Sequence, residues 1–231
     1  MDTKSKMKVI HDHFDDEAKQ FDANIVKFIP CYDEMLDTAV AAVPFARGRT
    51  MRVADLGTGT GELALKFMNA YPKAVMTCVD MSENMLTMAS RKLGKYRKTT
   101  YVCSDFYHFS FTGKYDAVIS SFALHHLVTD ADKQSFCRKI YAALKPGGVF
   151  VNADVVLGAT KHLQAYAMGQ WVSFLKKTLP PKGVAQLLRN FKREDSPAPV
   201  AEHFTFLKAA GFSKADILWR KYMGAVIVAV K

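Results

Sequence analysis

The sequence has little of what stabilises small extracellular proteins or anchors a chain in a membrane. It contains four cysteines in 231 residues, and none of them belongs to a Cys-x-x-Cys pair. A chain of this length buries roughly 70% of the surface that its unfolded form exposes, so it needs neither disulfides nor a structural metal. The longest nearly apolar runs, residues 39–46 and 223–230, are much shorter than a membrane-spanning helix. The charged N-terminal segment lacks the apolar core of a secretory signal, and we therefore expect a cytoplasmic protein with no membrane partner.

Compositional bias is also absent. The 13 glycines and 8 prolines exclude a collagen-like or low-complexity chain, and no internal repeat is visible. Lysine and arginine number 32 against 22 aspartates and glutamates, which gives a formal charge of +10. Such a charge permits an anionic partner such as RNA without establishing one. The basic residues concentrate in residues 91–98 and 176–193, so nucleic acid is retained as an alternative partner.

From residue 51 onward, short apolar runs alternate with amphipathic segments. This alternation predicts an α/β fold, in which a parallel sheet is covered by helices on both faces. The predicted strands are residues 51–55, 74–80, 100–104, 115–121 and 148–154, and the predicted helices are residues 61–70, 82–93 and 130–144.

The end of the chain follows a different pattern. Residues 214–220 and 223–230 are two strand-like segments with almost nothing between them, so they must pair antiparallel. Residues 1–50 and 158–211 are predicted to be helical and exceed the minimal sheet domain. Excess segments of this kind commonly cover a ligand. We therefore expect one domain with four parts: an N-terminal helical lid (1–50), a core (51–157), a helical substrate lid (158–211) and a closing hairpin (212–231).

A glycine-rich turn follows the first predicted strand, in the sequence Asp-Leu-Gly-Thr-Gly-Thr-Gly at residues 55–61. Glycines at such a turn let the backbone approach a ligand closely, and the helix behind them offers free N–H groups. A dinucleotide-binding fingerprint would require glycine or alanine where Glu62 stands. The carboxylate of Asp55 beside the turn suits a ligand that carries an ammonium group better than a pyrophosphate.

Two further acids end the next two predicted strands. Asp80 follows the second strand and Asp105 follows the third. A carboxylate after the second strand can accept hydrogen bonds from both ribose hydroxyls. Because the carboxyl ends of parallel strands meet at one edge of the sheet, Asp55, Asp80 and Asp105 are predicted to face one crevice.

These motifs resemble those of the class I S-adenosylmethionine-dependent methyltransferases over essentially the whole chain. The resemblance is carried by residues 55–61, 79–86, 103–106, 116–127 and 144–154, and by the closing hairpin. It implies a Rossmann-like sheet of seven strands, mainly parallel, in which the last strand is antiparallel. It also implies S-adenosyl-L-methionine as the cofactor and S-adenosyl-L-homocysteine as the product.

The resemblance further implies roles for individual residues. Asp55, Gly57 and Gly59 would border the methionine end of the cofactor, while Asp80 would bind its ribose. Met81 would pack on the adenine, and Asp105 with Phe106 would contact the adenine edge. The hydroxyl of Tyr32 would reach the cofactor carboxylate. The full set implied for cofactor binding is Tyr32, Asp55, Gly57, Thr58, Gly59, Gly61, Asp80, Met81, Asp105, Phe106 and Ser121.

The acceptor side follows the fourth predicted strand, in Ser-Ser-Phe-Ala-Leu-His-His at residues 120–126. This segment lacks the Asn/Asp-Pro-Pro-Tyr/Phe motif of nucleobase amino methylases and instead resembles small-molecule and wobble-uridine-related members. His126, and secondarily His125, are candidate general bases, because imidazole titrates near working pH. We expect no metal, because adjacent histidines rarely bind one ion and the other histidines offer no i, i+4 pair.

The leading hypothesis is an enzyme that moves a methyl group by in-line transfer to an oxygen, nitrogen or sulfur atom of a small molecule. One alternative is a tRNA or rRNA methyltransferase, or a relative of the wobble-uridine carboxy-S-adenosylmethionine synthases. Another is a non-catalytic S-adenosylmethionine-binding protein, since a fold alone does not guarantee activity. The acceptor and a possible homodimer are left open by the sequence.

Overall fold

The computed structural model describes residues 2–231 and contains one seven-stranded sheet with the order β3-β2-β1-β4-β5-β7-β6. The strands are β1 (Arg52–Leu56), β2 (Val75–Asp80), β3 (Thr99–Cys103), β4 (Tyr115–Ser121), β5 (Leu144–Val155), β6 (Lys214–Lys221) and β7 (Gly224–Val230). Strand β7 pairs antiparallel with both β5 and β6, whereas the remaining pairs are parallel. The predicted α/β class, with an antiparallel last strand, is confirmed.

The strand order reverses between β1 and β4. Strands β2 and β3 are added on one side of β1, and the chain then crosses to place β4 on the other side. In open α/β sheets, ligands bind in the crevice outside the carboxyl ends of the strands at such a switch point. The topology therefore places a crevice where β1 and β4 end.

Helices cover both faces of the sheet and extend beyond it. They are α1 (Thr3–Glu17), α2 (Phe21–Phe28), α3 (Tyr32–Ala41), α4 (Glu62–Ala70), α5 (Glu83–Lys92), α6 (Asp130–Ala143), α7 (Lys161–Thr178), α8 (Pro181–Glu194) and α9 (Val200–Ala210). Helices α3, α4 and α5 pack on one face, and α6 and α9 pack on the other. Each face of the sheet has its own hydrophobic core. Successive residues of β1 point to opposite faces, so Val53 belongs to the core under α3, α4 and α5 and Ala54 to the core under α6 and α9.

Local sequence signals account for several element ends. Ser82 accepts a hydrogen bond from the Met85 N–H and caps α5, while Thr129 forms a capping box with Asp132 at the start of α6. The prediction was wrong at the start of the fifth strand, which begins at Leu144 rather than residue 148. Leu144 pairs with Tyr115 before a register shift, so the Pro-Gly-Gly segment lies within an irregular strand start.

The helices of residues 158–211 pack in two different places. Helices α7 and α8 form a third apolar cluster, which includes Trp171 and Val184 and contacts Val155 at the end of β5. Helix α9 belongs to the predicted lid segment 158–211, but it packs beside α6, and its Leu207 joins the core on that face of the sheet. Within residues 2–231, no helix combines the length and the apolar character needed to cross a lipid bilayer.

Candidate active site

The glycine-rich turn connects β1 to α4 and has a backbone that side chains disfavour. Gly57 and Gly59 have φ angles of 66° and 54°, a region that costs a residue with a Cβ roughly 1–2 kcal/mol. A Cβ on Gly57 would lie 2.1 Å from the Cβ of Ala123, whereas a Cβ on Gly59 would meet no atom within 4 Å. Gly57 therefore permits close packing of the turn, and Gly59 leaves the space above it open.

Asp80 ends β2 and is joined to this turn. Its Oδ2 accepts the Gly59 N–H at 2.8 Å, and its Oδ1 accepts the Ser82 N–H at 2.9 Å. Burial raises the pKa of the Asp80 carboxyl above its usual value. The same side chain lines the cleft outside the strand ends, so it offers acceptor oxygens to a ligand there.

The cleft brings together most of the residues implied for cofactor binding. Helix α1 contributes Met7, Ile10 and Phe14 as a cover over it, and α2 contributes Phe21. Gly61 is outside the lining and serves packing, because a Cβ there would lie 3.1 Å from that of Ala89. The predicted residues that line the cleft are Tyr32, Gly57, Thr58, Gly59, Asp80, Met81, Asp105, Phe106, Ser121 and His126.

Asp55 does not reach the cleft surface. It is buried below the glycine turn, where Thr58 donates its hydroxyl to Asp55 Oδ2 at 2.7 Å. Its other carboxylate oxygen, Oδ1, has no hydrogen-bond partner in the described residues. Burial is the main cause that raises the Asp55 pKa, to about 7. The structure therefore places Asp55 as a buried acceptor under the turn.

Asp105 lies at the rim, where it also organises a local turn. Its Oδ1 accepts the backbone N–H groups of Tyr107 and His108, and its Oδ2 lies 2.7 Å from His108 Nδ1. Partial burial would raise the pKa of Asp105, but His108 and these N–H groups outweigh it and lower the pKa. Part of its hydrogen-bonding capacity is thus used within the protein.

The histidine pair lies in a 3₁₀ turn, Leu124–His126, directly after β4. His125 is buried, and its Nδ1 lies 2.5 Å from Asp154 Oδ1 while its Nε2 lies 3.5 Å from Asp195 Oδ1. Burial alone would lower the His125 pKa, but the attraction of Asp154 and Asp195 outweighs it and raises the pKa to about 10. His125 is therefore a charged side chain between two carboxylates.

The surroundings of His126 favour the uncharged form of its side chain instead. It is buried, and neither of its ring nitrogens has a hydrogen-bond partner among the described residues. Its Nδ1 lies 3.5 Å from Asp195 Oδ1. Burial, followed by the positive charge of His125, lowers the His126 pKa to about 4. His126 is thus neutral at physiological pH. The expectation that these histidines titrate near working pH was wrong, because the carboxylates beside His125 and the burial of His126 move the two pKa values in opposite directions.

His125, His126 and Asp195 also offer ligand atoms within 4.8 Å of one another, the arrangement in residues 2–231 that a metal ion could use. His125 already faces a carboxylate through each of its nitrogens. Ion pairing therefore accounts for its position without a metal.

Polar contacts fix α1 across the cleft. Asp15 accepts hydrogen bonds from Ser82 and Asn84 at the start of α5. At the other side, His13 Nδ1 lies 2.5 Å from Glu194 Oε2. Hydrogen bonds to Glu17 and then Glu194 raise the His13 pKa to about 9. Helix α1 thus bridges α5 and α8 over the site.

Sequence reasoning missed Asp154 and Asp195 as partners of the histidine pair. Asp154 ends β5 next to β4 in the sheet, so the strand-end rule that found Asp80 predicts its position as well. Asp195 follows α8 in a loop, where no periodicity or motif marks it. Phe14 and Phe21 also line the cleft, but they lie in residues 1–50, for which the sequence predicts only a helical lid.

Comparisons with known proteins agree with this geometry. Residues 53–148 match the family model described as a methyltransferase domain. The chain is 23% identical over 221 residues to a carboxy-S-adenosyl-L-methionine synthase of Nautilia profundicola, with 94% of each chain covered. It is 28% identical over 180 residues to a malonyl-[acyl-carrier protein] O-methyltransferase of Geobacter sulfurreducens, covering 77% of this chain and 62% of that protein.

Two solved structures illustrate the shared fold. A DhpI–SAM–HEP complex superposes with a TM-score of 0.66 at 18% identity, covering 97% of this chain and 96% of the other. A putative O-methyltransferase of Nostoc punctiforme superposes with a TM-score of 0.67 at 19% identity. The alignment with the Nostoc structure spans 94% of this chain but 60% of the Nostoc chain. The alignment with the methyltransferase SibL spans 55% of the SibL chain.

The sheet order and the glycine turn agree with the Rossmann-like methyltransferase fold of these solved structures. Over residues 53–148, the part that the family model matches, the chain is similar to S-adenosylmethionine-dependent methyltransferases of class I.

Proposed function

We propose that this protein binds S-adenosyl-L-methionine in the cleft and transfers its methyl group to a hydroxyl of a small molecule. One observation carries the proposal: the neutral side chain of His126 lines both the cleft and a second cavity of about 440 Å³. A donor in the cleft and an acceptor in the cavity would meet at this side chain.

The residues of the cleft suit the cofactor. Asp80 offers carboxylate oxygens to the ribose hydroxyls, and Met81 and Phe106 offer apolar surface to a purine. The backbone at Gly59 leaves room for a ligand where a side chain would intrude. Asp55 is buried beneath the turn, so it supports the cofactor site through the Thr58 hydroxyl rather than by contact with the ammonium group.

When bound, the cofactor supplies a methyl group that its sulfonium already activates. The protein's contribution is to hold the reacting atoms in line and dry, which can supply on the order of 7–11 kcal/mol. Phe14 and Phe21 keep water from the junction of the two cavities. Asp195 faces His126 Nδ1 and favours the tautomer whose proton is on that nitrogen. The hydroxyl becomes strongly acidic as its oxygen bonds to the methyl carbon, so His126 Nε2 can take the proton at that point although its pKa is only about 4.

The names of the relatives suggest a different reaction, the synthesis of carboxy-S-adenosylmethionine. That product carries an additional carboxylate, which a buried site must pair with a positive group. Among the described residues that line the cleft, none is a lysine or an arginine. Methyl transfer therefore fits this cleft better than the synthase reaction.

An RNA acceptor is also less favoured. In the first basic cluster, Lys92 forms ion pairs with Asp22 and Glu62, which removes one of that cluster's five charges from an RNA contact. The cavity beside His126 is walled by helices on several sides and has the volume of a small-molecule pocket, which is roughly 300–1,000 Å³.

Calorimetry and a product assay test the proposal on the full chain. We expect S-adenosylhomocysteine to bind, and S-adenosylmethionine to be converted to S-adenosylhomocysteine when hydroxyl compounds are supplied. Mass spectrometry distinguishes a methylated acceptor from a carboxylated nucleoside. Absence of cofactor binding would refute the proposal. Binding without turnover of any acceptor would favour the non-catalytic alternative.

A further inference from the structure

The second cavity is enclosed largely by helices of residues 1–50 and 158–211. Its walls come from α1, α2, α7, α8 and the β6–β7 turn. Hydrogen bonds hold these walls together, because Trp171 Nε1 donates to the Phe28 carbonyl and Thr178 donates to the Lys27 carbonyl. The cavity is therefore a built part of the fold rather than a gap between loose segments.

The surface of this cavity is mainly apolar, and several of its side chains are aromatic. Phe28, Phe122, Trp171 and Phe191 contribute to it, and Trp171 packs with its ring centroid 5.3 Å from that of Phe191. Flat ligands gain from offset or edge contacts with such rings in addition to the area that they bury. The walls thus favour an aromatic body over a hydrated, flexible one.

The charges around the cavity are already paired. Glu194 contacts His13 and Arg193, and Asp195 faces His125. Lys221 lines the cavity without a carboxylate partner among the described residues, but its side chain is exposed at the turn between β6 and β7. An anionic group inside the cavity would meet the carboxylates of Glu17, Glu194 and Asp195 and no buried positive side chain left to pair with it.

His126 provides the polar contact at the inner end of the cavity. Its ring nitrogens are buried and unpaired, and a buried polar group without a partner is costly. A ligand hydroxyl that donates to His126 would remove this cost. Aromatic walls, paired charges and an unpaired acceptor at the end therefore describe one kind of ligand.

From these features we propose that the cavity is the acceptor site and that it takes an uncharged phenol whose hydroxyl hydrogen-bonds to His126. This inference rests on the proposed function. In the reaction the phenol oxygen forms a bond to the methyl carbon while the carbon–sulfur bond breaks, and the electron pair of that bond stays on sulfur. The hydroxyl proton passes to His126, and the products are an aryl methyl ether and S-adenosylhomocysteine.

The test compares two phenols of similar length that differ in charge, 4-butylphenol and 4-(4-hydroxyphenyl)butanoate. With S-adenosylhomocysteine present, we expect calorimetry to show binding of 4-butylphenol at least about tenfold tighter, an energy difference of about 1.4 kcal/mol. Equal or tighter binding of the carboxylate overturns the inference, as does failure of both compounds to bind. Cofactor binding measured without a phenol is unaffected by these outcomes, so the two proposals fail separately.

Two substitutions on α8 provide a matched comparison. Leu187 is half-buried and lines the cavity, whereas Leu188 is half-buried on the same helix outside the lining. Leu187→Arg places a positive group in the cavity and should reverse the preference toward the carboxylate. Leu188→Arg should leave the preference as it is. A preference unchanged in Leu187→Arg, or changed equally in both variants, places the phenol elsewhere.

The role of His126 is tested by turnover. His126→Ala should lower the rate with 4-butylphenol by about 10²–10⁴-fold, the usual contribution of a general base. The variant should still bind S-adenosylhomocysteine, which distinguishes loss of the base from loss of the fold. Full activity of His126→Ala, or activity that a chelator abolishes, excludes the proton transfer proposed here.

Discussion

The contact between the glycine turn and the histidine turn predicts an unusually large effect of one methyl group. In Gly57→Ala, the new Cβ would lie 2.1 Å from the Ala123 Cβ, well inside van der Waals contact. The Gly57 N–H donates to the Val79 carbonyl at 2.8 Å, which restricts the backbone from moving away. The two chain segments cannot both keep their positions.

The cost has two parts. The left-handed φ of 66° costs a residue with a Cβ about 1–2 kcal/mol. Overpacking in a closely packed region typically costs a further 1–3 kcal/mol. Together they predict that Gly57→Ala lowers the free energy of unfolding by about 2–5 kcal/mol. Gly59→Ala, where the Cβ meets nothing within 4 Å, should cost only the first part.

Urea unfolding of a double-mutant cycle separates the two parts. Ala123→Gly removes the clashing Cβ, so combining it with Gly57→Ala should recover about 1–3 kcal/mol relative to the sum of the single changes. The strain of the left-handed backbone should persist in the double variant. A Gly57→Ala protein no less stable than Gly59→Ala, or a cycle without coupling, would show that this contact is not as described.

Three further outcomes are expected. Asp80→Ala should weaken S-adenosylhomocysteine binding in calorimetry by about 1–3 kcal/mol, since the ribose hydroxyls lose their acceptor. The control variant Asp216→Ala, at an exposed position, should bind normally. Equal affinities of the two variants would mean that Asp80 does not contact the ligand. The pKa of His125 is raised from 6.5 to about 10, so its ion pairs stabilise the fold fully below pH 6.5 and lose their effect as pH rises through 10. The free energy of unfolding should fall across this window and fall less in His125→Asn, and parallel profiles would contradict the ion pairs. His13→Gln weakens the contact of α1 with Glu194 and should speed S-adenosylhomocysteine release in stopped-flow measurements. The same change at His11 should not. Unchanged release in both variants would mean that α1 does not restrict the exit of S-adenosylhomocysteine from the cleft.

The sequence was most informative where a position follows from strand topology alone. Because parallel strands end at a common edge, Asp80 and Asp105 could be assigned to one crevice from the sequence, whereas the role of Met81 was implied by the family resemblance. The same rule located the histidine turn after β4. It also applies to Asp154, which was overlooked because its strand was interpreted only as part of the scaffold.

The remaining features depend on distances that sequence patterns do not encode. Asp55 was expected at the cleft surface, but the depth of a side chain below a turn depends on the turn's conformation and on the Thr58 hydroxyl. Asp195 lies 70 positions after His125 in the sequence and reaches it from a loop. The opposite charge states of the adjacent histidines follow from these contacts and have no signature in the sequence itself.

The position of β7 inside the sheet has a consequence for how the chain reaches its native state. Strand β6 contacts the rest of the sheet only through β7, which is made after it and inserts between β5 and β6. During synthesis, the edge of β5 must therefore stay unpaired until residues 224–230 have left the ribosome. Such late, long-range pairing slows folding and leaves a hydrophobic strand edge open to other chains. Aggregation of nascent or truncated chains should thus begin at β5. The missing strand that causes it, β7, lies about 70 residues further along the chain.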